Sequence, residues 1–283
     1  MIRTGAGTAG WRRSRAVVLA LAASGFALPA CAAPEPGAAE CRPGPARTEI
    51  LDGVGLRGEI RLASGARVVL DSLRWPDAPE IAVSARAWLE ARRGDSLVLI
   101  PRGGQPDRWG RERADIQVAD TDIDLAGGLI AAGLAVADAD ERDSLCRPAL
   151  RGVEEAARAK RLGLWHDFPF QAADGPALRA QEGRFVVVEG RIRHVGERSA
   201  RTYLDFAARG ADGLTVTVSK RTWRTMRTRG LSAASLEGRR VRVRGILEVW
   251  RGPTLEANAD AVEILSEPDR REAGPTGERE LRR

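Results

Sequence analysis

The charged residues of the chain are dominated by arginine, whose chemistry suits anions. Among 283 residues, Lys and Arg number 45 against 39 Asp and Glu, and only Lys160 and Lys220 are lysines. The guanidinium fork matches phosphate, so a phosphate-bearing partner is one explanation, and a GC-rich coding bias is the other. The chain has only two histidines and three cysteines. This small number excludes a Cys/His zinc site made by this chain alone, and it offers few histidines from which a Ser-His-Asp triad could be built.

Two motifs in the first half combine acids with arginine. The first is Asp77-Ala78-Pro79-Glu80, and the second is residues 107–111 (DRWGR), about thirty positions later. Both have a structural interpretation. The first motif could be a turn with a capping acid before a helix over 84–93 that Ser84 caps, and Arg111 could pair with Asp107 in its own turn.

Three further segments follow these motifs in order: residues 129–135 (LIAAGLA), 155–158 (EAAR) and 163–165 (GLW). The whole series resembles the thermonuclease (staphylococcal-nuclease-like) family over residues 49–167. The resemblance implies a five-stranded OB-type barrel with packed helices, which hydrolyses nucleic-acid phosphodiester bonds with Ca²⁺.

The resemblance also implies roles for individual residues. Such hydrolysis needs a hard cation held by oxygens, a carboxylate beside the attacking water, and guanidiniums on the phosphate. At the matching positions Glu80 positions or activates the water, and Arg111 is the second phosphate-binding arginine. Asp77 and the backbone carbonyl of Ala78 are the calcium ligands.

The sequence departs from the family at two charged positions. The family's second calcium carboxylate falls on Gly58; Glu59 is one place along, on the opposite strand face, unless the alignment shifts. The first phosphate arginine falls on Ser72, and Arg74 is either its substitute in substrate binding or an exposed surface arginine. Two missing charges predict weak or lost activity. Ca²⁺ takes about six to eight oxygens, so the loss of a carboxylate weakens its binding, and the phosphate loses one of its arginine contacts.

The first thirty residues resemble an export signal. Four arginines precede the apolar run 16–23, which is too short to span a bilayer, and small residues follow it. We expect cleavage between Ala32 and Ala33, or lipidation of Cys31 within the lipobox-like LPAC, which would tether the protein to a membrane. The expected location is therefore periplasmic, envelope-anchored or secreted.

If Cys31 is lipidated or removed, Cys41 and Cys146 remain. Two cysteines in an oxidising compartment favour a disulfide, and two unpaired buried thiols are the alternative. The bond would close a loop of about 100 residues, which stabilises a fold by up to roughly 4–5 kcal/mol in the chain-entropy model.

Composition divides the chain into segments of different charge. Residues 31–182 hold 20 bases and 25 acids, whereas 183–266 hold 16 bases and 9 acids, so the excess positive charge belongs to the second half. Stretches rich in Pro, Gly and charged residues mark the boundaries between segments. They predict a signal at 1–30, a tether at 31–48, a thermonuclease-like domain at 49–170, a linker at 171–182, an OB-like domain at 183–266 and a disordered tail at 267–283.

Hydrophobic patterning predicts an α+β fold in the first half and a second, mostly-β barrel after it. In the first half we expect strands at 58–62, 66–70, 96–101 and 113–118 and helices at 84–93, 125–136 and 146–162. In the second half we expect strands at 184–195, 202–206, 214–219, 238–250 and 254–265, with a helix at 222–229. A helix between the third and fourth of five strands is the order of an OB barrel.

The basic residues of the second half suggest a single-stranded nucleic acid as partner. Trp223 has five basic residues around it, Lys220, Arg221, Arg224, Arg227 and Arg229. Arginines alternate along 240–244, and Trp250 and Tyr203 could stack bases. The alternative is a solvated strand face with core tryptophans, and envelope anions would satisfy the same charge. The sequence thus predicts a thermonuclease-like protein of weak or lost activity, or a non-catalytic protein that binds nucleic acid or envelope anions.

Overall fold

Five strands of the first half close a barrel in the order β1-β2-β3-β6-β5. The structure is a computed structural model, and it describes residues 41–266 apart from 104, 122, 141 and 209. In the barrel, β3 and β6 pair in parallel and the other neighbours are antiparallel. The strands are β1 Arg47–Val54, β2 Ile60–Leu62, β3 Arg67–Leu70, β5 Ser96–Pro101 and β6 Arg111–Val118, and β4 Leu73–Arg74 pairs with β7 Val136–Ala137 outside the barrel.

Helices pack around this barrel: α1 Pro79–Glu90, α2 Leu125–Ala131, α3 Leu150–Ala159, and a 3₁₀ turn, Gly163–His166. The expected start of α1 at Ser84 is wrong. Proline at the first helical position already has the required φ and lacks an N–H that would need a partner, so the helix begins at Pro79 without a side-chain cap. The Ser84 hydroxyl instead donates to the carbonyl of Glu80 at 3.0 Å.

The second barrel repeats the strand order of the first. The order of strands in its sheet is β10 (His194–Glu197), β11 (Arg201–Asp205), β12 (Thr215–Ser219), β14 (Pro253–Glu256), β13 (Arg240–Val249), β9 (Phe185–Arg191) and β8 (Phe170–Gln171). Only two residues separate β9 from β10, so the chain passes directly from one side of the sheet to the other. The helix between the third and fourth strands is α5, in the place that α1 has in the first barrel. The elements are β8 Phe170–Gln171, α4 Gly175–Arg179, β9 Phe185–Arg191, β10 His194–Glu197, β11 Arg201–Asp205, β12 Thr215–Ser219, α5 Lys220–Thr228, α6 Ala233–Leu236, β13 Arg240–Val249, β14 Pro253–Glu256, a 3₁₀ turn Ala259–Ala261, and β15 Val262–Ile264.

The residues expected to form a linker are structured. Gln171 pairs with Glu189 through β8 and β9, and α4 follows directly. The Asp174 side chain accepts a hydrogen bond from the N–H of Ala177 and so caps α4. The second sheet therefore begins at Phe170.

A shared interface joins the two barrels. Val136, Ala157 and Trp165 of the first pack with Phe185 and Val187 of the second in one buried apolar cluster. Both barrels lie within one compact unit of the chain. Contacts between them are therefore part of the fold.

A buried ion pair crosses the same interface. Glu154 of α3 and Arg244 of β13 lie 2.9 Å apart and are 2% and 1% exposed. The Glu154 carboxylate also accepts the N–H of Ala137 at 2.7 Å, and the Ala137 carbonyl accepts from Arg244 at 2.9 Å. These contacts satisfy two charges that would otherwise be costly to bury.

Cys41 and Cys146 form a disulfide, which confirms the expected pairing. It attaches the chain just before β1 to the segment that leads into α3. In the part of the chain that the structure describes, no helix has the length and apolar character needed to cross a membrane. The expected signal, with Cys31, lies outside the described residues.

Candidate active site and nucleic-acid interface

A cleft of about 510 Å³ lies where the resemblance places the nuclease chemistry. Its walls come from the turn between β1 and β2, the segment after β4, and the start of β6. Arg74, Asp77, Asp107 and Arg111 line it, as does Gly58. The cleft therefore collects arginines and carboxylates from both predicted motifs.

Arg111 is held by Asp107 across its own turn. The Arg111 Nε donates to Asp107 Oδ2 at 2.8 Å, and the Arg111 backbone N–H donates to Oδ1 at 2.9 Å. Burial alone would raise the pKa of Asp107, but the hydrogen bonds from Arg111 and from the Trp109 backbone lower that pKa below its usual value. The guanidinium therefore already has a carboxylate partner, as the structural interpretation of this motif predicts.

Asp77 contributes to the interface between the barrels. Its Oδ2 accepts the N–H of Phe185, the first residue of β9, at 2.9 Å. The same oxygen lies 3.9 Å from the guanidinium of Arg74. One oxygen of this carboxylate is therefore engaged in a structural contact between the barrels.

Trp75 fills the space beside Gly58. A Cβ built on Gly58 would lie 2.1 Å from Cε3 and 2.5 Å from Cδ2 of the Trp75 ring, and the φ of Gly58 is +75°. Only glycine adopts this backbone without strain, and no larger side chain fits against the indole. The aromatic ring thus occupies the space into which a side chain at position 58, where the resemblance places the second carboxylate, would project. Glu59 does not line the cleft.

This arrangement does not fit a calcium ion. Among the described residues, no three His, Cys, Asp or Glu side chains cluster in a way that could hold a metal. Besides the engaged Asp77, the carbonyl of Ala78 accepts the N–H of Ala82 at 2.9 Å within α1. Ca²⁺ requires about six to eight oxygens, which these residues do not bring together.

Glu80 lies on the exposed first turn of α1 and lines a different cavity, of about 830 Å³, at the junction of the barrels. Arg111 does not line that cavity, and Glu80 does not line the first one. The segment 74–77 forms a wall common to both. The two residues to which the resemblance assigns catalysis therefore face separate spaces.

The position to which the resemblance assigns the first phosphate arginine is buried. Ser72 is 1% exposed, and its hydroxyl donates to Asp71 at 2.7 Å. Arg74 is half-buried, with its guanidinium 5.2 Å from the centroid of the Phe185 ring. It therefore contacts the second barrel as well as lining the cleft, and it is not the exposed surface arginine of the alternative.

Two of the three arginines of β13 are not available to a partner. Arg242 and Arg244 are 3% and 1% exposed, so both the expectation of an anion-binding face and the alternative of a solvated face are wrong for them. Arg242 binds Glu189 at 2.8 Å, and Arg244 binds Glu154 of the first barrel. A strand face that looks polar is buried here because the partner acids come from distant segments.

The basic side of α5 is exposed. Arg221, Arg224 and Arg227 face solvent, and none of them has an ion pair with a residue that the structure describes. Trp223 is 2% exposed and donates from Nε1 to Glu197 at 3.0 Å, so it belongs to the core. Trp250 and Tyr203 lie elsewhere, together in a groove of about 1010 Å³.

Sequence reasoning missed two features of this region. The first is the Trp75 ring beside Gly58. Its only indication in the sequence is that a bulky residue comes two positions before Asp77, a proposed calcium ligand. The Glu154–Arg244 pair has no local signal, because its members are 90 positions apart.

Residues 81–167 match the family described as Staphylococcal nuclease homologue. The matched segment runs from α1 through the 3₁₀ turn after α3; it contains Arg111 and begins one residue after Glu80. Among curated proteins, none matches the chain. With the closed five-stranded barrel, the match confirms a staphylococcal-nuclease-like domain of OB type in an α+β chain that continues into a second, mostly-β barrel.

Proposed function

We propose that this chain is an exported thermonuclease-like protein in which Ca²⁺-dependent hydrolysis of nucleic acid is weak or lost. The observation that carries the proposal is the Trp75 ring beside Gly58, where the family's second calcium carboxylate would project. A carboxylate cannot enter that space while the indole occupies it.

The remaining residues are arranged for structure more than for hydrolysis. Arg111 already shares its charge with Asp107, and one oxygen of Asp77 is occupied by the N–H of Phe185. Glu80 lines another cavity, so the carboxylate and the guanidinium do not converge on one phosphate. Removal of one charge-stabilising group from a transition state typically reduces the rate by about 100-fold or more.

The test is cleavage of single-stranded and double-stranded DNA by the full chain in excess Ca²⁺, with calorimetric titration of the ion. We expect little or no EDTA-sensitive cleavage and no tight Ca²⁺ binding. Gly58→Asp should lower stability without restoring either property, because its side chain meets Trp75. Gly65→Asp is the matched control, since Gly65 has φ +84° and nothing within 4 Å of a built Cβ. Rapid EDTA-sensitive cleavage that Glu80→Gln abolishes would refute the proposal.

We further propose single-stranded nucleic acid as a partner, bound on the exposed arginines of α5. Unpaired guanidiniums on one helix attract a polyanion, and their contribution weakens with salt. Affinity for a short oligothymidine should fall steeply with salt. Arg224→Ala with Arg227→Ala should reduce the slope of log K against log [salt] by about 1.4. No binding at low salt would exclude this partner. Equal binding of a non-nucleic polyanion, such as polyphosphate, would favour the envelope-anion alternative.

Export is supported by the signal-like N-terminus and by the Cys41–Cys146 disulfide, which is typical of oxidising compartments. We propose signal cleavage after Ala32, with lipidation of Cys31 as a membrane tether as the alternative. Fractionation of cells that express the full chain or Cys31→Ser distinguishes them, because only the tether makes membrane association depend on that cysteine.

A further inference from the structure

The outer face of the second barrel carries a groove that the proposed function does not use. Its volume is about 1010 Å³, and it crosses β11, β12 and β14 and reaches the loop after β13. Strand register places its floor in two rows of outward side chains. One row is Tyr203, Thr217 and Glu256, and the other is Thr215, Thr254 and Glu248.

Two aromatic side chains face this groove. Trp250, in the loop between β13 and β14, is 82% exposed, and Tyr203 lies half-buried on the floor. The Arg251 guanidinium stands 5.3 Å from the Trp250 ring centroid. A tryptophan so exposed at a concave surface gains stability only when a ligand covers its apolar face.

The charges that line the groove cancel. Among its described lining residues are three arginines and three acids. Arg201 pairs with Glu256 at 2.9 Å and Arg179 with Asp212 at 2.9 Å, while Arg251 and Glu248, which have no ion pair with a described residue, offset each other in charge. A phosphodiester strand carries a charge at each nucleotide and binds through unpaired cations, so this lining disfavours it.

The same lining suits a neutral, polyhydroxylated ligand. Threonine hydroxyls, carboxylates and guanidiniums supply donors and acceptors for sugar hydroxyls. The C–H bonds on one face of a pyranose ring carry partial positive charge, which the negative face of an indole attracts. We propose that this groove binds a neutral oligosaccharide, with Trp250 as the platform on which a sugar ring packs.

The test uses the full chain with two neutral tetrasaccharides, cellotetraose and chitotetraose, and with a short oligothymidine. Binding is followed by calorimetry. At least one tetrasaccharide should bind, with an affinity unchanged between about 50 and 200 mM salt. Trp250→Ala should weaken that binding about tenfold or more without changing the circular dichroism spectrum, because the side chain is exposed.

The matched control is Arg224→Ala with Arg227→Ala, which should keep tetrasaccharide binding while weakening that of oligothymidine. Failure of both tetrasaccharides to bind, or an affinity that Trp250→Ala leaves unchanged, would overturn the proposal. Loss of oligothymidine binding in Trp250→Ala would identify the groove as a nucleic-acid site instead. None of these outcomes depends on whether the cleft of the first barrel hydrolyses DNA.

Discussion

Truncation of Glu154 should destabilise the whole protein. In Glu154→Ala the Arg244 guanidinium, 1% exposed, loses its closest ion-pair partner, at 2.9 Å, and keeps Glu263 at 3.8 Å, while the Ala137 N–H loses its acceptor. Breaking a buried pair from one side typically costs about 3–5 kcal/mol, because an uncompensated charge remains buried. For a unit of this size we expect the Tm to fall by roughly 6–20 °C.

The matched control lies one position along the same helix. The Glu155 side chain is 51% exposed and contacts Arg158 and Arg242, so Glu155→Ala should cost about 1 kcal/mol or less. Replacement of both interface partners, Glu154→Leu with Arg244→Met, should recover part of the loss, since neither member of the pair is left buried without the other, while Arg151 still loses Glu154 at 3.6 Å.

Urea unfolding followed by far-UV circular dichroism measures these differences. We expect one cooperative transition for both barrels, shifted to lower urea in Glu154→Ala. If Glu154→Ala and Glu155→Ala lose the same free energy of unfolding, the buried pair does not stabilise the interface. If the barrels unfold in two separate steps in the unsubstituted chain, they are independent, and the reasoning fails.

Three further predictions concern pH, the disulfide and the cleft. Burial alone would raise the pKa of Glu154, but Arg244 lowers that pKa below the unfolded value of about 4.3. The stabilising contribution of the ionised carboxylate is therefore present above about pH 4.3 and is lost as the pH falls through the lower folded pKa. Glu154→Gln should flatten this acidic part of the curve of stability against pH. Reduction of the Cys41–Cys146 bond, which spans 105 positions, should lower the free energy of unfolding by up to roughly 4–5 kcal/mol, and Cys41→Ser should make stability insensitive to reductant. Asp107→Asn should free the Arg111 guanidinium and tighten binding of inorganic phosphate about tenfold, observed by NMR at the Arg111 Nε–H; an unchanged affinity would show that Asp107 does not restrain Arg111.

Local patterns in the sequence were sufficient for most of the strands. The predicted strand 96–101 has the bounds of β5, because buried and half-buried residues alternate along it without a break. The order of the second barrel followed from five such runs and one helical insertion. The start of α1 was missed because Pro79 begins the helix without a capping side chain, whereas Ser84 has the residue type of a cap.

The candidate site was harder to predict because its chemistry depends on distant contacts. Asp77 matches a ligand position by type and spacing, but the N–H that engages it belongs to Phe185, 108 positions away. Alternating arginines on β13 have the pattern of a solvated face, and only the fold brings Glu154 and Glu189 to them. Residue type alone cannot reveal which neighbours will neutralise a charge.

The contact between Trp75 and Gly58 restricts how this cleft could change through mutation. A single change from glycine to aspartate at position 58 would produce an overlap with the indole before it produced a ligand. Trp75 would have to be replaced first, and that step removes a ring that packs against the core of the first barrel. Both orders of substitution that would place a carboxylate at position 58 thus pass through a less stable protein, so the contact makes such a change difficult to acquire one mutation at a time.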